Sequence, residues 1–205
     1  MNLLPTQEDV LGILRETGAM RDGHFEYPDG LHSNEYLQVP LAMRHYDQAK
    51  LLSVGLSRLL RSNPEIRAVI PELSIVAPAT AGLPVAYGIC EALRAKQVYW
   101  AEQETPNQPG QRFRQFMEPR KGEQVILVDD ILRTGTKLTA LKELLESYGA
   151  TVLAIATLAY QPLPNVKTFG LTPVYYLAEL EATYYRDAES CELCHAGTPI
   201  VKVLV

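Results

Sequence analysis

The stretch VILVDDILRTGTKL, residues 125–138, sets an apolar run against two adjacent acids and a hydroxyl-rich turn. Val125 to Val128 suit a buried strand. Asp129 and Asp130 end it, and Arg133, Thr134, Gly135 and Thr136 lead into a helical pattern. Open parallel sheets bind ligands beyond the carboxyl ends of their strands, which is where this acid pair falls. The first amides of the following helix have no intrahelical partners and lie at the positive end of its dipole, so they attract an anion. Thr134 and Thr136 add hydroxyl donors, and Gly135 allows positive φ or close approach. The turn therefore suits a phosphate. The two carboxylates repel a phosphate but suit the hydroxyls of a vicinal diol such as ribose, or a Mg²⁺ held through water. A sugar phosphate satisfies both halves at once. Either half alone is an ordinary strand end or turn; the combination is specific. It is neither a G-x-x-x-x-G-K-[ST] loop nor a dinucleotide fingerprint.

Outward from this stretch the pattern alternates. LSIVAPA (73–79), QVYWAE (97–102), QVILVDD (124–130), TVLAIATLA (151–159) and VYYLAELEA (174–182) read as strands. GLPVAYGICEALRA (82–95) and TKLTALKELLESYGA (136–150) read as helices between them, the second with Gly149 as its stop. Alternation of this kind predicts an α/β domain, a central mostly parallel sheet flanked by helices. Upstream, TQEDVLGILRETGAM is an amphipathic helix with Thr6 and Asp9 as a capping box and Gly18 at its end. A second begins near Asp47. GHFEYPDGLHSNEYLQVP (23–40) is rich in turn formers and aromatics and suits short strands. Residues 103–123 fit neither period, with three prolines and two glycines; a connection of this length in a compact α/β domain reads as a lid.

The 205 residues suit a single domain. A net charge of −5 argues against a nucleic-acid partner, and no apolar run is long enough to cross a membrane. Three cysteines, an odd number, read as free thiols in a reducing compartment. MNLLPTQEDV lacks a charged region followed by a long apolar one, so the expectation is a cytoplasmic protein without a secretory signal.

VILVDDILRTGT resembles the PRPP-binding signature of the type I phosphoribosyltransferases. GHFEYPDGLHSNEYLQ is similar to the N-terminal hood of the orotate branch, IVAPATAGLPVAYGICEAL to its pyrophosphate-loop strand and helix, YWAEQ…RFRQF to its strand and mobile catalytic loop, and CELCHAGTPIVK to the C-terminal tail of one bacterial subset. The resemblance runs in order over nearly the whole chain. It implies a type I phosphoribosyltransferase fold, with a hood built from about residues 1–45 plus the C-terminal segment. It implies transfer of 5-phosphoribosyl from PRPP to a pyrimidine-type base, orotate by resemblance, with Mg²⁺ as cofactor in a homodimer. It also implies the site: Asp129 and Asp130 on the ribose hydroxyls; Leu132, Arg133, Thr134, Gly135, Thr136 and Lys137 on the 5′-phosphate; and Ala79 and Thr80 on the pyrophosphate. Arg112 and Arg114 would act from the lid, and Phe25, Tyr36 and Gln161 would contact the base.

The chain departs from the family pattern in three places. Thr136 and Lys137 stand where a small residue and Ser or Thr are usual. Gln103 replaces the Arg that usually follows the A-E of the lid strand, leaving Arg112, Arg114, Arg120 and Lys121 as loop cations; the last two read as solvated surface charge. Most consequential, Tyr160 and Gln161 stand where the family carries D-R, whose Arg grips the orotate carboxylate. Losing that charge-assisted pair costs on the order of 1.5–3 kcal/mol, which predicts weak orotate binding, a different base, or a PRPP- or nucleotide-binding protein without efficient catalysis.

CELCH (191–195) also matches a haem-attachment pattern, but that chemistry needs an export route. Cys191, Cys194 and His195 are all zinc-ligand types, yet one C-x-x-C without a second pair reads as two free thiols, and no metal is assigned to them. His24 and His32 lie in the hood motif, where they could line the base pocket; in so turn-rich a segment they read rather as surface or structural hydrogen-bonders. Tyr175, Tyr176, Tyr184 and Tyr185 read as packing residues.

Overall fold

A computed structural model describes residues 4–105, 110–163 and 165–203. The chain opens with α1 (Gln7–Glu16), capped reciprocally by Thr6 and Asp9 as the sequence predicts. A hairpin of β1 (Met20–Glu26) and β2 (His32–Leu37) follows. Next come α2 (Pro40–Met43), α3 (Tyr46–Ser62) and α4 (Pro64–Val69), and the chain then enters the central sheet. That region contains β3 (Ser74–Pro78), α5 (Gly82–Leu93), β4 (Gln97–Gln103), β5 (Gln111–Arg112), β6 (Gln124–Leu132), α6 (Thr136–Ser147), β7 (Thr151–Tyr160) and β8 (Val174–Glu179). The tail holds β9 (Tyr184–Tyr185), α7 (Glu192–His195) and β10 (Val201–Lys202).

The central sheet has the order β5-β4-β3-β6-β7-β8, parallel except for the edge strand β5. Its central strands β3, β6 and β7 are mostly apolar because both faces are covered. Ile75 and Ala77 of β3, with Ile126 and Val128 of β6, pack in one core with α1, α3 and α5. Their neighbours Val76, Val125 and Leu127 turn to a second core, closed by Leu138, Leu141 and Leu145 of α6. The hood is a separate sheet, β10-β1-β2-β9, so the C-terminal tail contributes both of its edges.

The lid expectation is partly revised. Residues 106–109 lie outside the described residues. From Gln111 onward the segment is anchored: β5 pairs with β4, and buried Phe113 packs edge-on against Tyr148 at 5.9 Å. Arg120 and Lys121 lie by Gly149 at the amino end of β6, the opposite end from the acid pair.

Candidate active site

Among the parallel strands the order is 2-1-3-4-5, so the chain reverses direction between β3 and β6. A crevice opens at the carboxyl ends of the two strands flanking such a switch point. Here it is a cavity of about 550 Å³, floored by residues 78–81 after β3 and 129–135 after β6, and roofed by the hood. That size suits a small-molecule site.

Asp129 is 8% exposed, and its Oδ1 accepts the Asp130 backbone N–H at 2.9 Å; the Asp130 Oδ1 accepts the Ile131 N–H at 2.9 Å. Burial pushes both acids up, Asp129 well above the ordinary carboxylate range. The Asp130 charge adds to the effect on Asp129, and Lys137 opposes it. The pair therefore gains from hydroxyl donors or a cation. Gly82, at the start of α5, approaches so closely that a Cβ there would lie 3.0 Å from Asp129 Oδ1.

Gly135 has φ +74° and caps α6, as the turn requires. The outward carbonyls of the loop are engaged by the segment after β7: Gln161 N–H donates to Leu132, Leu163 N–H to Arg133 and Lys167 N–H to Thr134. The Thr136 N–H donates to the Thr134 hydroxyl at 3.2 Å. Thr134, Gly135 and Lys137 line the cavity at this helix N-terminus, and Ala79 and Thr80 line it from β3.

The structure moves several expected contacts. Arg133 does not turn toward the α6 amides. Its Nε donates to Gln161 Oε1 at 2.9 Å, its Nη2 to the Leu37 carbonyl at 3.1 Å, and its guanidinium lies 5.7 Å from the Tyr27 ring centre. Gln161 is fully buried and does not line the cavity; its Nε2 donates to buried Glu35 Oε1 at 2.8 Å. Glu35 is itself pushed up, mainly by burial. Gln161 thus stands behind Arg133 as a support rather than facing a base. Phe25 is also buried behind the cavity wall, 5.5 Å from the Tyr36 ring, because it packs the hood; Tyr36 does line the cavity. Leu132 reaches the wall but is otherwise core. Thr136, Arg112 and Arg114 do not line the cavity. Arg114 is held by Glu102, at 2.6 Å from Nη2 and 2.8 Å from Nε, on an exposed surface.

Two wall residues escape the sequence reading. Tyr27 and Tyr184 both line the cavity, and their hydroxyls are buried without a hydrogen-bond partner among the described residues. Burial pushes the Tyr184 phenol up to about 12, so it stays protonated and able to donate at neutral pH. The local cue was the Y-x-x-x-x-x-x-x-x-Y spacing of the hood hairpin, Tyr27 to Tyr36; Tyr184 arrives only through β9 pairing with β2.

The site as a whole has an acid pair, an anion-binding turn, an arginine on the loop after β6, and a hood wall with three tyrosines. It can hold a sugar phosphate at one end and a polar planar ring at the other. Residues 63–167 match the phosphoribosyl transferase domain. The chain is 32% identical over 194 residues to an orotate phosphoribosyltransferase of Carboxydothermus hydrogenoformans, covering 95% of each chain. It superposes on the crystal structure of orotate phosphoribosyltransferase from Aeropyrum pernix with a TM-score of 0.66 and 21% identity, over 83% of this chain and 93% of that one. It also superposes on adenine phosphoribosyltransferase from Thermoanaerobacter pseudethanolicus at 0.59 and 17% identity, over 71% of this chain and 88% of that one. At 17% and 21% identity, likeness to these two structures shows the fold alone.

Proposed function

This chain belongs to the phosphoribosyltransferase family, and we propose that its acceptor is orotate, with Arg133 as the cation that receives the orotate carboxylate. The observation that carries this reading is the chain of contacts from Glu35 through Gln161 to Arg133. It fixes a guanidinium in the cavity wall beside Tyr27, on the hood side of the acid pair. Two of the five guanidinium N–H groups are used in these contacts, and the remainder of the fork matches a planar carboxylate. An arginine moved onto the preceding loop would supply the charge that Gln161 lacks, so the departure at 161 relocates the clamp. The name of the Carboxydothermus relative points to the same acceptor. Tyr27 and Tyr184 would donate to the ring carbonyls.

In this reading Asp129 and Asp130 accept hydrogen bonds from the ribose 2′- and 3′-hydroxyls. Thr134, Gly135, Thr136 and Lys137 hold the 5′-phosphate at the α6 N-terminus, and Ala79 and Thr80 meet the pyrophosphate. As the C1′–O bond to pyrophosphate breaks and the base nitrogen, having released its proton to solvent, bonds to C1′, positive charge grows on the ribose ring. Fixed carboxylates beneath that ring favour the transition state over the ground state. The acid pair, made of hard oxygen donors that burial pushes up, also fits Mg²⁺. Bound with PRPP, Mg²⁺ would neutralise charge on the departing pyrophosphate. The family resemblance adds a cytoplasmic location and a homodimer to the proposal; light scattering on the purified protein would check the dimer.

The test is Arg133→Gln. Losing a charge-assisted pair of on the order of 1.5–3 kcal/mol predicts a fall in kcat/KM for orotate of roughly 10- to 150-fold, with little change in PRPP affinity. Equal orotate kinetics in the variant and the wild type would remove Arg133 from the acceptor site.

A further inference from the structure

The hood carries a second cluster that phosphoribosyl transfer does not use. His24 of β1, His32 of β2, Cys191 before α7 and Cys194 within it bring one ligand atom each to within 4.8 Å of one another. His24 Nε2 lies 2.9 Å from His32 Nδ1, 3.4 Å from Cys191 Sγ and 3.5 Å from Cys194 Sγ, and Cys194 Sγ lies 3.5 Å from His32 Nδ1. Bonds of about 2.0–2.1 Å to nitrogen and about 2.3 Å to sulfur at tetrahedral angles place N···N at about 3.4 Å and N···S at about 3.6 Å. The three N···S spacings match this cage closely, and the N···N spacing is about half an ångström inside it.

We infer that these four side chains form a structural Zn²⁺ site that ties the C-terminal tail to the hood hairpin. Four separate features favour a metal over a hydrogen-bonded cluster. First, the ligand set is two thiols and two imidazoles, the soft and borderline donors of tetrahedral zinc; a magnesium ion would want oxygens. Second, His24 is oriented from behind: its Nδ1 lies 2.9 Å from the Thr198 carbonyl, which can only accept, so Nδ1 carries the proton and Nε2 presents its lone pair to the cluster. A carbonyl behind a ligating histidine is the usual outer partner of a zinc site. Third, the backbone is built for it. The β1–β2 register shifts between Asp22 and Phe25, and the resulting bulge contains His24 and re-aims its ring. Fourth, the electrostatics suit the place. His24, His32 and Cys191 are buried, and two thiolates with two neutral imidazoles around Zn²⁺ carry no net charge. Binding releases the two thiol protons to solvent.

All four positions are taken by protein, so the site is closed and structural. Its position gives it a consequence. Tyr184 and Val203, which line the substrate cavity, lie on either side of Cys191 and Cys194 in the tail. The metal would hold that wall against the hairpin carrying Tyr27 and Tyr36. His195, the third residue of the sequence motif, is exposed and stands outside the cluster.

The test is metal content of the full-length protein, purified under reducing conditions, offered Zn²⁺ and dialysed, with Co²⁺ substitution in parallel. We expect one zinc per chain. We expect the intense ligand-field bands of tetrahedral cobalt with thiolate charge transfer, and full retention of metal in His195→Ala. Cys191→Ser/Cys194→Ser should lose the metal and the charge-transfer band; if that variant does not fold, the wild-type cobalt spectrum still decides. Zinc binding without thiolate charge transfer, retention of the full equivalent by the double serine variant, or a wild type that keeps no metal would each overturn the assignment. A protein that contains only a Cys191–Cys194 disulfide and takes no metal after reduction would overturn it as well.

Discussion

Replacing Asp129 by Asn should make the free protein more stable and leave it unable to hold PRPP. Asp129 is 8% exposed, beside Asp130, and its charge is offset by the Asp130 N–H and by Lys137, which lines the cavity from an exposed position. Burial, then the Asp130 charge, raise its folded-state pKa above the unfolded value. A carboxyl raised in this way contributes its full stability below the unfolded pKa, and the contribution is lost as pH rises through the folded pKa. At neutral pH, above the unfolded value, the raised carboxyl is therefore a net cost to the free fold. Asn keeps the Oδ1 that accepts the Asp130 N–H and removes the charge. Relief of a poorly compensated buried polar group is on the order of 1–3 kcal/mol, roughly 2–12 °C in Tm for a chain of this size. Thermal scans at pH 7.5 and pH 5, with and without PRPP and Mg²⁺, give the assay. The variant should melt higher than the wild type at pH 7.5, with a smaller gap at pH 5. Ligand at about 100 Kd should stabilise the wild type by about 2.7 kcal/mol and leave the variant unmoved. A lower melting point for Asp129→Asn at pH 7.5 would refute the reasoning, since the charge would then support the free fold. An unchanged PRPP shift would remove Asp129 from the ribose site.

Gly135→Ala places a Cβ 3.1 Å from Phe169 Cζ and 3.2 Å from Lys167 Cβ, at φ +74°. The left-handed conformation alone costs about 1–2 kcal/mol, so titration calorimetry should show PRPP affinity falling by roughly tenfold or more, alongside a lower melting temperature. Tyr184→Phe removes a buried hydroxyl that has no partner among the described residues of the free protein. Its melting temperature should hold or rise, while KM for the base rises several-fold in steady-state assays.

The elements legible in the sequence are those whose signal is local. The apolar run at 125–128 is buried on both faces, so it reads as a strand whatever surrounds it. Thr6 and Asp9 form a box across three residues, and the acid pair with its glycine turn occupies one continuous loop. What escaped depends on tertiary pairing. Gln161 is at the expected clamp position in sequence, but it is buried between Glu35 of the hood and Arg133, 126 residues and 28 residues away. The side chain that reaches the cavity is Arg133, and no periodicity marks the change. Cys191 and Cys194 look like a lone C-x-x-C because their partners, His24 and His32, lie at the other end of the chain. β5 and Phe113 were hidden in a segment whose prolines and glycines read as loop, since a two-residue edge strand is fixed only by pairing with β4.

The most direct measurement of the central claim is the loss of orotate on mixing purified protein with PRPP, Mg²⁺ and orotate, followed by its absorbance and by release of pyrophosphate, with uracil in place of orotate as the comparison. The account predicts stoichiometric conversion of orotate to its ribonucleotide with one pyrophosphate released, and a kcat/KM well above that for uracil. Turnover of uracil in preference to orotate, or PRPP binding without turnover of either, would contradict it.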